Sequence, residues 1–227
     1  MGDDLTTRDR MILLAIDQLI EVGPVDFNSG LVCDQLGIKH PMIKHHFGSK
    51  DNLLAEAIIW AFRGWSYFQV AALKNAKDDP ELQIRAFISS EIAWAEELKA
   101  VAAVTQYPLM SANVRRILGT TYQPEMQALF EYHLALLTTV IVALRTKTKA
   151  DLSFSVEDYP RKELVLKQPK AFLAASSVSW ATHGLGMWST GDHLSTKTLA
   201  TDIVAGLTKK VAIANHIENI MNIAKGL

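Results

Sequence analysis

Cysteine is almost missing from this chain: Cys33 stands alone among 227 residues. A single cysteine excludes an intrachain disulfide and any zinc site built from several thiolates. It also suits a reducing compartment. Glycine and proline are scarce, at 12 and 7, so the chain has few obligatory breaks, while Leu, Ala, Ile and Lys are plentiful and favour helix. No alternating strand pattern stands out, and no internal repeat recurs. Long apolar runs are absent too. The most apolar one, Leu134 to Leu144, is about half of the ~20 residues a membrane helix needs and reads as the buried part of a long helix. The opening residues, MGDDLTTRDR, are acidic and polar, unlike a secretory signal. A cytoplasmic chain with no membrane partner is expected. Nor does one sign of charge dominate. Lys and Arg number 23 against 24 Asp and Glu, a net charge of -1, so any attraction to nucleic acid must be local.

What the chain does have is apolar content, 49% hydrophobic residues, enough for a sizeable core. The sparse glycines and prolines cut it into helices. Thr6 or Thr7 caps a first helix running to about Val22, with Ile12, Ala15, Ile16, Leu19 and Ile20 on one face, and Gly23-Pro24 ends it. Asn28 or Ser29 caps a short second helix that Gly37 stops. Pro41 suits the first turn of a very short third helix. Gly48 breaks the chain, and Ser49 caps a fourth helix to about Asn75. Longer helical patterns follow over Pro80–Leu98, Asn113–Leu144 (with Pro124 a kink or break), Pro169–Thr190 and Thr196–Lys225. The polar, charged stretch Thr146–Gln168 reads as a mobile loop. The class is all-α.

Positive charge is concentrated in one short run. From Gly37 to Lys50, GIKHPMIKHHFGSK holds three lysines and three histidines and no acid, whereas Met1 to Leu36 carries seven acids and only Arg8 and Arg10. The run spans the turn and second helix of a two-helix unit whose apolar meeting points are Val32, Leu36, Ile38 and Ile43, with small Cys33 at the crossing. This is the spacing of a helix-turn-helix, whose second helix enters the DNA major groove. Lys39, Lys44 and Lys50 are candidate phosphate contacts. His40, Met42 and His45 are candidate base-edge or sugar contacts. Ser29 and His46 complete the candidate set. Adjacent His45 and His46 do not share a helix face, so no metal site with Cys33 is expected.

The wider pattern, RDRMILLAIDQLIEVG followed by VCDQLGIKHPMIKHHFGSKDNLL, resembles the DNA-binding domain of the TetR family of bacterial regulators over about Arg10 to Leu54. Val32, Gly37, Ile38, Ile43, His46, Phe47, Ser49, Lys50, Asp51 and Leu53 match the family pattern or replace it conservatively. Three positions depart. Lys39 stands where the family has Ser or Thr, Lys44 where it has a phosphate-contacting Tyr, and Cys33 where it often has Ala. Both lysines add positive charge at the expected DNA edge. The resemblance implies a helix-turn-helix domain over residues 1–54 and a helical effector-binding and dimerisation domain over 55–227. It also implies a homodimer through the last two helices, a double-stranded operator and a small-molecule effector.

Aromatics at helical spacing, with one methionine, supply the candidate effector pocket: Trp65, Phe68, Trp94, Tyr107, Trp180 and Met110, with His133, Ser176, His183 and Glu91 as candidate polar fixers. Few charges fall on these stripes, so an apolar or aromatic effector is expected. No Ser/His/Asp or Cys/His set has the spacing of a nucleophile motif, and HGLGMWSTG lacks the third glycine and the preceding strand of a dinucleotide loop. No enzyme, cofactor or catalytic residue is expected. The competing reading is a helical protein that binds a small molecule or a partner without reading DNA.

Overall fold

The computed structural model describes residues 5–97, 112–190 and 209–226. Every regular element among them is a helix: α1 (Thr7–Val22), α2 (Ser29–Leu36), α3 (Pro41–Phe47), α4 (Lys50–Asn75), α5 (Pro80–Glu97), α6 (Ala112–Thr146), α7 (Arg161–Lys167), α8 (Pro169–Thr190) and α9 (Lys209–Lys225). The chain is all-α. Candidate pocket residues Tyr107 and Met110 lie outside the described residues.

The helix ends follow from local chemistry. Thr6 caps α1 and forms a reciprocal box with Asp9: the Asp9 N–H donates to Thr6 Oγ1 and the Thr6 N–H to Asp9 Oδ2, each at 3.1 Å. Asn28 Oδ1 accepts from the Gly30 N–H at 2.9 Å to start α2. Gly37 ends α2 in the left-handed region, φ 66 and ψ 28. There its N–H reaches the Asp34 carbonyl and the Ile38 N–H the Cys33 carbonyl, the paired bonds of a Schellman cap. Pro41 opens α3, and Ser49 Oγ accepts from the Asn52 N–H at 3.1 Å to open α4.

These residues pack as two compact units. One holds residues 5–65 and 112–127, the other 66–97, 128–190 and 209–226, so α4 and α6 each contribute to both. In the first unit, Met11, Ala15 and Leu19 of α1, Val32 and Cys33 of α2, Phe47 of α3 and Leu53 of α4 form the buried centre. Burial pushes the Cys33 thiol pKa up. In the second unit α5, α8 and α9 pack on one another. The apolar part of α6 joins them through fully buried Leu136, Leu137, Val140 and Ile141. By length and composition α6 could cross a membrane, but here these residues are core. Arg145 caps the far end of α9, donating to the Ala224 and Ile223 carbonyls at 2.9 and 3.2 Å.

Two expectations shift. The break in the long helix falls at Gly119, at φ 53 and ψ -154, and Pro124 sits inside the helix that follows. The carbonyl with which the Pro124 ring would clash belongs to Thr120, the first residue after the break, where it is least constrained. The stretch expected as a mobile loop is held down. Leu152, Phe154, Val156 and Tyr159 pack on the second core. The Tyr132 hydroxyl and Lys74 Nζ both donate to the Phe154 carbonyl at 3.2 and 3.3 Å, and the Tyr159 hydroxyl donates to Glu131 at 2.7 Å. Residues 161–167 form α7.

Candidate nucleic-acid interface and buried polar cluster

The short α3 has two sides because apolar Ile43 and Phe47, four residues apart, are both buried. Lys39, His40, Lys44 and His45 are therefore turned to solvent, and Met42 and His46 are half-buried. Among the described residues neither Lys39 nor Lys44 has a carboxylate partner. His40 Nε2 lies 3.3 Å from Asp34 Oδ1, an exposed pair. The His45 and His46 rings meet edge to face at 4.9 Å, and His46 Nε2 is buried without a hydrogen-bond partner among the described residues. Ser29 is half-buried in the first turn of α2. Lys50 is exposed, with Nζ 5.7 Å from the centre of the Phe27 ring. The structure thus brings Lys39, His40, Lys44 and His45 to one exposed edge, with Asp34 beside His40.

A set of polar contacts that sequence reasoning missed holds this unit together. Arg8 of α1 bonds Glu56 of α4, whose other oxygen accepts from the Tyr122 hydroxyl at 3.2 Å. Arg63 grips Glu125 with two bonds of 2.5 and 2.8 Å, and Arg116 lies 3.7 Å from Asp51. Arg8 also stacks its guanidinium over the Phe47 ring at 5.0 Å. Residues 112–127 are thereby tied to α1 and to the α4 segment that begins beside Lys50. Such pairs join residues 48 to 66 apart, a separation that no local spacing reveals.

The candidate pocket residues separate into groups. In the second unit Glu91 is fully buried. It lies 2.9 Å from His183 Nδ1 and accepts from the Gln69 amide. Gly186 makes room for it: a Cβ there would stand 3.0 Å from Glu91 Cγ. His133 is buried with Nε2 3.2 Å from the Ser66 carbonyl. Burial holds its pKa down, to about 4, so the ring is neutral at pH 7; the Ser66 bond and Glu91 oppose that shift and His183 adds to it. Phe68 and Trp94 meet at 5.6 Å. Trp180 is 56% exposed, 6.5 Å from both the Phe130 and His183 rings. The Ser176 hydroxyl is spent on the Phe172 carbonyl one turn back. Trp65 packs in the first unit, 5.0 Å from Phe62.

Two polar atoms of this cluster, Gln69 Oε1 and Trp94 Nε1, are buried with no partner among the described residues. Each costs about 1–3 kcal/mol if nothing satisfies it. Gln69 was not among the candidates from sequence. The available signal was a polar residue on an apolar stripe: Gln69 follows Phe62 and Trp65 and precedes Leu73 at helical spacing, as Glu91 follows Ile84, Phe87 and Ile88.

The chain matches no protein-family model and no curated protein sequence. Among solved structures it is similar to a protein of Pseudomonas aeruginosa PAO1 whose crystal structure is described as that of a "putative transcriptional regulator". The two agree at a TM-score of 0.60 and 18% identity, over 96% of this chain and 88% of that one. The helical fold of nearly the whole chain therefore has a precedent among known structures.

Proposed function

We propose that this protein is a transcriptional regulator that binds operator DNA through α2 and α3. The reading rests on one observation above others. A capped helix-turn-helix presents Lys39 and Lys44, exposed and without carboxylate partners among the described residues, beside His40 and His45. The description of the Pseudomonas neighbour agrees with it, as does the TetR-like pattern over Arg10 to Leu54. In this reading Lys39, Lys44 and Lys50 neutralise phosphates, with Ser29 and His46 beside them, and His40, Met42 and His45 approach the bases. The regulator is a cytoplasmic homodimer. Leu173 and Trp180, two turns apart on α8, and Ile223 of α9 are exposed apolar residues suited to a second copy. The helix-turn-helix domain over 1–54 reads DNA and the remainder, 55–227, binds a small apolar or aromatic effector. Effector binding changes operator affinity through α4, which holds Lys50 at one end and Phe68 and Gln69 towards the other. The mode is repression, relieved by the effector.

The test is fluorescence anisotropy with fragments from around the protein's own gene, as a function of salt. Lys39→Ala and Lys44→Ala each weaken binding and lower the salt slope by about 0.9 per lost phosphate contact. Variants that bind as tightly with an unchanged slope overturn the phosphate role of these two lysines, and a parent protein that binds none of the fragments overturns the DNA reading and favours a binding protein without DNA readout.

A further inference from the structure

We infer that the effector site takes an uncharged apolar or aromatic molecule bearing a hydroxyl group, held at Gln69 and Trp94, and that it rejects carboxylates. The inference rests on the effector-binding reading above and gives it a ligand class. Glu91 accepts from the Gln69 amide; as an acceptor, the carboxylate fixes the amide so that its N–H faces Glu91. Gln69 is fully buried, and its remaining carbonyl oxygen has no partner among the described residues. It requires a donor. Trp94, three residues beyond Glu91 on α5, has an indole N–H in the same condition. It requires an acceptor. One hydroxyl supplies both, donating to Gln69 Oε1 and accepting from Trp94 Nε1. An ether satisfies only the tryptophan.

The surroundings set the rest of the ligand. Phe68, 37% exposed, lies beside Gln69 in sequence, and its ring meets that of half-buried Trp94. In the proposed site these rings would form the outward, aromatic end, and Gln69 and Glu91 the buried polar end. Glu91 is a buried acid, and among the described residues no Lys or Arg is buried. A carboxylate entering here would lose its hydration next to another carboxylate, and the nearest cationic candidate, His183, is already engaged by Glu91 at 2.9 Å.

The probes are 2-naphthol, its methyl ether and 2-naphthoate, which share one aromatic body. They are titrated calorimetrically into the full-length protein, and DNA binding of the same preparation is measured in parallel. The naphthol is expected to bind at least tenfold more tightly than the ether and the naphthoate. Gln69→Leu removes that preference for the hydroxyl while leaving ether binding unchanged. Trp94→Phe, which keeps a ring and loses the N–H, weakens naphthol and ether alike and tests the site even if the Gln69 variant does not fold. Equal binding of naphthol and ether, tightest binding of the naphthoate, or no naphthol binding each overturns the ligand class. Retained DNA binding in any of these cases leaves the regulator reading standing; its loss alone counts against that reading.

Discussion

Single residues set the chemistry of both candidate sites, and one of them ties stability to pH. His133 is neutral in the folded chain, its pKa lowered to about 4 by burial, whereas the unfolded chain protonates it near the ordinary value of about 6.5. Between these values the unfolded state binds the additional proton, so acidification favours unfolding. The stability in question is present in full above about pH 6.5 and is lost as pH falls toward 4, at up to about 1.4 kcal/mol per pH unit. Urea midpoints measured at pH 7.5, 5.5 and 4.5 should fall less steeply for His133→Leu than for the parent protein. At the proposed DNA edge, Lys39 and Lys44 are the reciprocal case of charge that stays exposed. Replacing both in a dimer should lower the salt slope by about 3–4, whereas replacing Lys149, which pairs with Asp78, should leave it unchanged.

Elements show where sequence was sufficient. The starts and stops of α1 to α3 were legible because each rests on a residue with one structural use: Thr6 and Asn28 as caps, Pro41 in a first turn, Gly37 and Gly48 at positive φ. Gly37→Ala tests this directly. No atom lies within 4 Å of the added Cβ, so the cost is conformational, about 1–2 kcal/mol. It should appear as a lower urea midpoint and weaker DNA binding. The stretch Thr146–Gln168, expected as a mobile loop, packs down instead; its apolar positions are hidden among charged residues. The apolar positions 152, 154 and 156 recur every second residue, a period that is easily overlooked in so short and polar a stretch. Gly119 was passed over for Pro124 because proline breaks a helix by its own geometry, while glycine only permits a break that the surrounding fold imposes. The exposed edge of α3 was readable from spacing. The Glu56 and Glu125 contacts and the Gln69–Glu91–His183 cluster were not, since they join helices distant in sequence.

At the scale of the whole molecule, near-neutral charge means that the proposed affinity for DNA would have to come from geometry repeated in two copies rather than from a general attraction. A short α3 reaches few base pairs, so dimerisation and operator binding should fail together. Leu173→Glu with Trp180→Glu places charge on exposed apolar residues of α8. Sedimentation should show a monomer, and DNA affinity should fall by more than tenfold while helix content is retained. The lone thiol offers another view of the same chain. Cys33 lies fully enclosed where α1, α2 and α3 pack, so a thiol reagent can reach it only when those helices part. With no second cysteine to compete, the labelling rate of the unaltered protein is a clock for opening of its helix-turn-helix unit. DNA or effector that stabilises the closed packing would slow that clock.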